Sequence, residues 1–159
     1  MTAFPPLARR ALIALLVLTL GSALAHDRIE VGVGIYPAGA LAATAHVAFP
    51  LFEAREITHG LRGDLTYAFA GLPALAASYT LTGAPEEGAI DRYLGAGIGL
   101  AFADAPLSSP QLSAHGLAGV RVPLGERFHV FSEVVVAGNA IETRLDLGLG
   151  VRFAFGGSN

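Results

Sequence analysis

The chain has 159 residues, 53% of them hydrophobic, and carries ten basic side chains, all arginine, against thirteen acidic ones for a formal net charge of −3. An acidic chain without a basic cluster argues against nucleic acid as a partner. The absence of cysteine removes disulfides, thiolate metal sites and cysteine nucleophiles together.

Arg9 and Arg10 precede an apolar run over residues 11–20, followed by GSALA, with Ala23 and Ala25 in a small-residue cleavage pattern. That order is the layout of a secretory signal peptide, and the run is too short to span a bilayer as a helix of ~20 residues. Residues 1–25 are therefore expected to be a leader, and residues 26–159 a single domain. Cleavage after Ala25 leaves His26 first, where an α-amine and an imidazole could take copper; a frayed polar terminus is the plainer expectation.

Beyond the leader, short runs of alternating polarity recur at near-regular spacing, with glycine and proline between them. This is the signature of an all-β meander. Eight strands are expected, near 28–36, 42–50, 60–70, 74–82, 91–103, 111–122, 128–137 and 142–155. The turns fall at 37–39, 53–58, 71–73, 83–90, 104–110 and 123–127, with a two-residue loop at Gly138-Asn139.

Successive residues of a strand point to opposite faces. In the first strand Ile29, Val31, Val33 and Ile35 oppose Glu30, Gly32 and Gly34. In the third, Leu61, Leu65, Tyr67 and Phe69 oppose Arg62, Asp64 and Thr66. In the fifth, Leu94, Ile98, Leu100 and Phe102 oppose Gly95, Gly97 and Gly99. In the last, Leu145, Leu147, Leu149, Val151, Phe153 and Phe155 oppose Arg144, Asp146, Gly148, Gly150, Arg152 and Ala154. One face is greasy and the other is charged or tiny. A membrane barrel turns the greasy face to lipid and the charges to its lumen. A soluble sheet would expose the charges, but the chain has little length for a second layer to cover the greasy face. The fold class expected is thus all-β, an eight-stranded antiparallel up-and-down transmembrane barrel. Its narrow interior must be filled by side chains, which excludes a large pore. Leu117, Phe131 and Val135 fall on that inner face.

Register follows from the loops. With Gly138-Asn139 as the turn, Ala137 faces Ala140, and Glu133 faces Arg144. With 123–127 closing the preceding hairpin, Val122 faces Phe128 and Arg121 faces His129. Glu30, Asp64, Glu133 and Asp146 then stand in the lumen against Arg62, Arg121, Arg144 and Arg152, with His129 beside them. Buried charges are tolerable only when paired and hydrogen-bonded, so a neutral lumen network is expected.

On these residues the chain resembles the small eight-stranded outer-membrane barrels of the OmpA transmembrane-domain and OmpX type. The sharpest element is GVRFAF, where Gly150 is followed by spaced apolar and aromatic residues ending at Phe155. It is similar to the C-terminal signal of such barrels, although four residues, 156–159, follow it here. The resemblance implies an outer membrane, contact with its lipid, and assembly by a barrel-insertion machine that reads residues 150–155. It implies no particular activity.

Ser113 and His115 share a strand face, and Glu133 on the next strand would lie diagonal to His115, within ~7–8 Å at the backbone. A hydroxyl, an imidazole and a carboxylate make a hydrolase triad in principle. An enzyme acting on lipid needs them outside, whereas the alternation points them inward. His46, His59, His115 and His129 have no zinc-ligand spacing, and no cofactor is expected. Three classes of function follow: a structural or interaction barrel with a plugged lumen and no catalysis, an outer-membrane lipid-modifying hydrolase, and a soluble periplasmic lipocalin-like binder with the faces inverted.

Overall fold

The computed structural model describes residues 28–37, 41–68, 73–83, 90–102, 110–139 and 143–156. The expected leader and His26 lie outside the described residues. Eight strands are present: β1 (Arg28–Tyr36), β2 (Ala42–Ala54), β3 (Ile57–Ala68), β4 (Pro73–Gly83), β5 (Asp91–Phe102), β6 (Pro110–Pro123), β7 (Phe128–Gly138) and β8 (Thr143–Gly156). Each pairs antiparallel with the next, and β8 closes on β1 through pairs such as Val33 with Val151. The sheet is a closed eight-stranded meander barrel with no free edge.

Alternation decides which way each strand faces. Ile98, Leu112 and Leu145 are 62%, 65% and 60% exposed, and Val33, Ile35, Leu147 and Leu149 are exposed with them. The inward set holds the buried residues, charged ones included: Glu30, Arg62, Arg121, Glu133 and Arg152. An apolar outside around a charged inside is the membrane arrangement, and the inverse of a lipocalin-like binder.

The connections differ from expectation at three places. β2 runs on to Ala54 and β3 begins at Ile57, so the turn is only Arg55-Glu56. Both residues have positive φ, 52° and 64°. This matches the two-residue hairpin turn whose twist suits the flanking strands, which glycine or asparagine would fill with less strain. A bulge between Pro50 and Phe52 lies just before it. Pro50 has no N–H to give the ladder, so pairing is interrupted there.

The second and third differences are of register. Gly138 pairs with Thr143, which leaves four residues, 139–142, between them rather than the Gly138-Asn139 loop. Ala137 therefore faces Arg144 and Glu133 faces Gly148, correcting the expected Glu133–Arg144 and Ala137–Ala140 pairs. In the preceding hairpin Pro123 faces His129, Val122 faces Val130 and Arg121 faces Phe131. There Leu124 N–H donates to the Phe128 carbonyl at 2.9 Å. Both corrections are slips by an even number of residues. Such a slip leaves each side chain on its face, so the alternating pattern cannot detect it; a slip by one would have turned the strand inside out.

Candidate functional site: the lumen

The lumen is filled by large side chains lying over small neighbours. Tyr36 on β1 covers Gly148 on β8, and Tyr93 on β5 covers Gly119 on β6. Phe131 on β7 lies against both Gly34 and Gly150. A Cβ at Gly119 would come within 2.5 Å of the Tyr93 ring, so the glycine is what admits the tyrosine. Phe131 and Glu133 are each 1% exposed, and Leu117 is buried beside them.

Glu133 is the hub of the charges. Arg62 donates from Nη1 to Glu133 Oε2 at 2.6 Å and from Nη2 to Oε1 at 2.7 Å, a two-pronged grip. Tyr93 donates its hydroxyl to Oε2 at 2.6 Å, and Tyr36 donates to Oε1. Arg62 also holds Asp64 Oδ1 through Nε at 2.8 Å and Nη2 at 2.6 Å. Four donors on one carboxylate offset much of the cost of burying its charge.

A second cluster lies toward the end of the barrel that holds Arg28 and Gly156. Arg121 donates to Glu30 Oε2 at 2.6 Å and stands 3.2 Å from Asp91 Oδ2. Arg152 joins the two clusters. Its nitrogens lie 3.6 Å from Glu30 Oε2 and 3.6 Å from Glu133 Oε2. Its guanidinium sits 4.7 Å from the Tyr93 ring centre and 4.9 Å from that of Phe131. Cation–ring contact adds to these long ion pairs. His46, 2% exposed, packs edge-on to Phe131 with ring centres 5.2 Å apart.

The expected network residues divide accordingly. Glu30, Arg62, Asp64, Arg121, Glu133 and Arg152 form one connected set. His129 is buried at 7% exposure. Arg144 and Asp146 pair with each other at 3.0 Å, with the Arg144 side chain 56% exposed. Arg144 therefore stands at the rim, four residues along β8 from the position opposite Glu133.

Sequence reasoning missed Asp91, Tyr36 and Tyr93. The signal was present. Tyr36 shares its parity with Glu30, and Asp91 and Tyr93 share theirs with Gly95. Tyr36 and Asp91 stand at strand ends, and a strand's terminal positions carry little pattern of their own.

The Ser113, His115 and Glu133 trio is not assembled. His115 faces Ala137, four residues or about 13 Å along β7 from Glu133. The His115 Nε2 lies 2.7 Å from Ser78 Oγ on β4, reaching across Gly97 of β5. Ser113 lies against Gly99. Ser78 is 1% exposed, so the pair ties three strands together inside the wall. Among the described residues, no group of three or more metal-ligating side chains converges.

No family model and no curated protein matches the sequence. Solved structures do resemble the fold. The N-terminal β-barrel domain of Pseudomonas aeruginosa OprF matches at a TM-score of 0.63 and 15% identity, over 82% of this chain and 98% of that one. A de novo designed transmembrane β-barrel matches at 0.59 and 11% identity, over 82% and 97%. The outer-membrane enzyme PagL matches at 0.48 and 16% identity, over 80% and 98%. The fold is that of a small eight-stranded outer-membrane barrel.

Proposed function

We propose that this protein is an integral outer-membrane barrel with a closed lumen, serving a structural or interaction role without catalysis. The carrying observation is the filled interior: Tyr36 and Tyr93 close on the Arg62–Glu133 pair, and Phe131 and Leu117 are buried over Gly150 and Gly95. An eight-stranded wall leaves only enough width for such side chains. The leader pattern of residues 1–25 supports export, and the Gly150-to-Phe155 segment supports delivery to barrel-insertion machinery. Against a lipid hydrolase stands the geometry of the expected trio, whose Glu133 is engaged by Arg62 and two tyrosines.

The test is conductance. Pure protein inserted into planar bilayers is expected to show no large steady current. Steady nanosiemens openings would refute the closed lumen and favour transport. Carbonate-washed membranes are expected to retain the protein, and its appearance in the soluble fraction would refute membrane integration.

A further inference from the structure

The outward face of the strands is apolar with few exceptions. Among the described residues, only two outward strand positions carry a basic side chain: His59 on β3 and Arg92 on β5. His59 shares its face with Leu61, Leu65 and Tyr67. Arg92 is exposed between the buried Asp91 and Tyr93. The two basic groups occupy one corner of the barrel, on either side of β4.

Register places them closely. His59 pairs with Leu81, which pairs in turn with Leu94. Arg92 lies two residues beyond Leu94, with its backbone carbonyl beside Gly83 of β4. Two strand spacings and a two-residue offset separate the backbones by about 12 Å; Leu81 lies opposite His59, and Gly83, beside Arg92, adds no side chain. An arginine and an imidazole reaching toward each other along the outer face from such a separation can meet on one phosphate group.

The imidazole is held for this. Tyr79 Oη lies 2.6 Å from His59 Nδ1, and Phe52 stacks on the ring with centres 4.4 Å apart and planes 15° apart. When Tyr79 donates to Nδ1, the proton of the ring sits on Nε2, the nitrogen that would donate to a ligand oxygen. Phe52 and Tyr79 are 54% and 41% exposed. A hydrogen-bonded polar pair and a guanidinium are costly among lipid tails but suited to the level of the headgroups. His59 lies two residues from the start of β3, near the Arg55-Glu56 turn, with only Ile57 beyond it on the outward face of β3.

We propose that His59, Tyr79 and Arg92 form a binding site for the phosphate of an anionic membrane lipid, in the leaflet at the end of the barrel that holds Arg28 and Gly156. The partner follows from continuity and charge. The site is the border of a face already turned to lipid, and it offers a guanidinium and an imidazole N–H where lipid phosphates lie. The assignment rests on the membrane reading of the outward face.

The protein has no tryptophan, so Phe52→Trp creates one fluorophore stacked on the site. The protein would be reconstituted in phosphatidylcholine vesicles doped with chain-brominated phosphatidylglycerol or chain-brominated phosphatidylcholine. Brominated phosphatidylglycerol is expected to reach half-maximal quenching at about a fivefold lower mole fraction, the preference one arginine near anionic lipid provides. Arg92→Gln and His59→Gln, each in the Phe52→Trp background, are expected to abolish the preference. Arg127→Gln, on the β6–β7 connection, is expected to keep it. Equal quenching by the two lipids, or a preference unchanged by both site substitutions, overturns the site while leaving the membrane reading intact. Loss of the preference in millimolar inorganic phosphate overturns the lipid as occupant in favour of free phosphate. Quenching by neither lipid overturns the membrane reading, and the site with it.

Discussion

Removing both partners of the Arg62–Glu133 pair should cost well under the sum of the two single removals. Arg62→Met strips Glu133 of two hydrogen bonds at 2.6 and 2.7 Å and leaves Asp64 without its guanidinium. Arg152, at 3.6 Å, is the only nearby cation paired to Glu133 that remains among the described residues. An uncompensated buried charge typically costs ~3–5 kcal/mol. Glu133→Gln keeps a similar shape but leaves Arg62 facing a neutral amide, and Tyr36 and Tyr93 lose a charged acceptor. Its expected cost is about 2–4 kcal/mol. In the double substitution Glu133 is no longer left as a buried charge without Arg62, although Asp64 still lacks its guanidinium, so the total should fall short of the sum by about 2–3 kcal/mol. The assay is urea unfolding in detergent micelles, followed by the gel-mobility change between folded and heated protein. Arg144→Met serves as the contrast. Its side chain is 56% exposed and pairs only with Asp146 in the described structure, so a loss of about 0–1 kcal/mol is expected. Additive effects below about 1 kcal/mol for both lumen substitutions would refute the reasoning. A large Arg144 effect coupled to Glu133 would restore the register expected from a Gly138-Asn139 loop.

Three further outcomes test the faces and the turns. Leu147, outward and 54% exposed, should tolerate arginine poorly, by ~2–4 kcal/mol if it sits near the bilayer midplane. Measured by the same unfolding assay, a neutral Leu147→Arg would sink the inside-out assignment. Gly148→Leu on the opposite face should displace the Tyr36 ring and cost about 1–3 kcal/mol, and a neutral result would mean that Tyr36 does not lie over this glycine. At the Arg55-Glu56 turn, where φ reaches 64°, Glu56→Gly should raise stability by about 0.5–1 kcal/mol; an unchanged or lower urea midpoint would rule out strain at this turn.

The sequence made the wall legible and the interior only partly so. Each strand carries its own instruction, because alternation is local: Ile29, Val31, Val33 and Ile35 need no knowledge of the other strands to define an outer face. The same locality sorted Arg62, Glu133 and Arg152 to the inside. Partners are a different matter. Arg62 and Glu133 are 71 positions apart and meet across the lumen, not across a hairpin. Tyr36 reaches Glu133 over a separation of 97 positions. Such contacts depend on where the whole barrel places each strand, and no spacing in the chain announces them. The trio of Ser113, His115 and Glu133 failed for the same reason. It assumed a partner on the next strand, while His115 turned the other way and found Ser78 on β4 across a glycine.

The even slips in two hairpins show why charges are useful inside a wall that apolar residues already define. The outer face cannot distinguish registers two residues apart, because Leu147 and Leu149 present the same chemistry to lipid. The inner face can. In the observed register, Gly148 and Gly150 stand where Tyr36 and Phe131 need room, and Arg152 stands between Glu30 and Glu133. Sliding β8 by two residues against its neighbours would carry Asp146 or Arg152 into the space above which Tyr36 or Phe131 packs. It would also separate Arg152 from one of its carboxylates. The cost would be a steric clash together with an unpaired buried charge, each amounting to several kcal/mol. The lipid-facing residues thus decide that a barrel forms, and the glycine-and-charge pattern of the lumen decides which strand positions meet. That division also accounts for a charged interior in a barrel filled by side chains: a uniformly apolar filling would leave the register of β8 nearly as undetermined from the inside as it is from the outside.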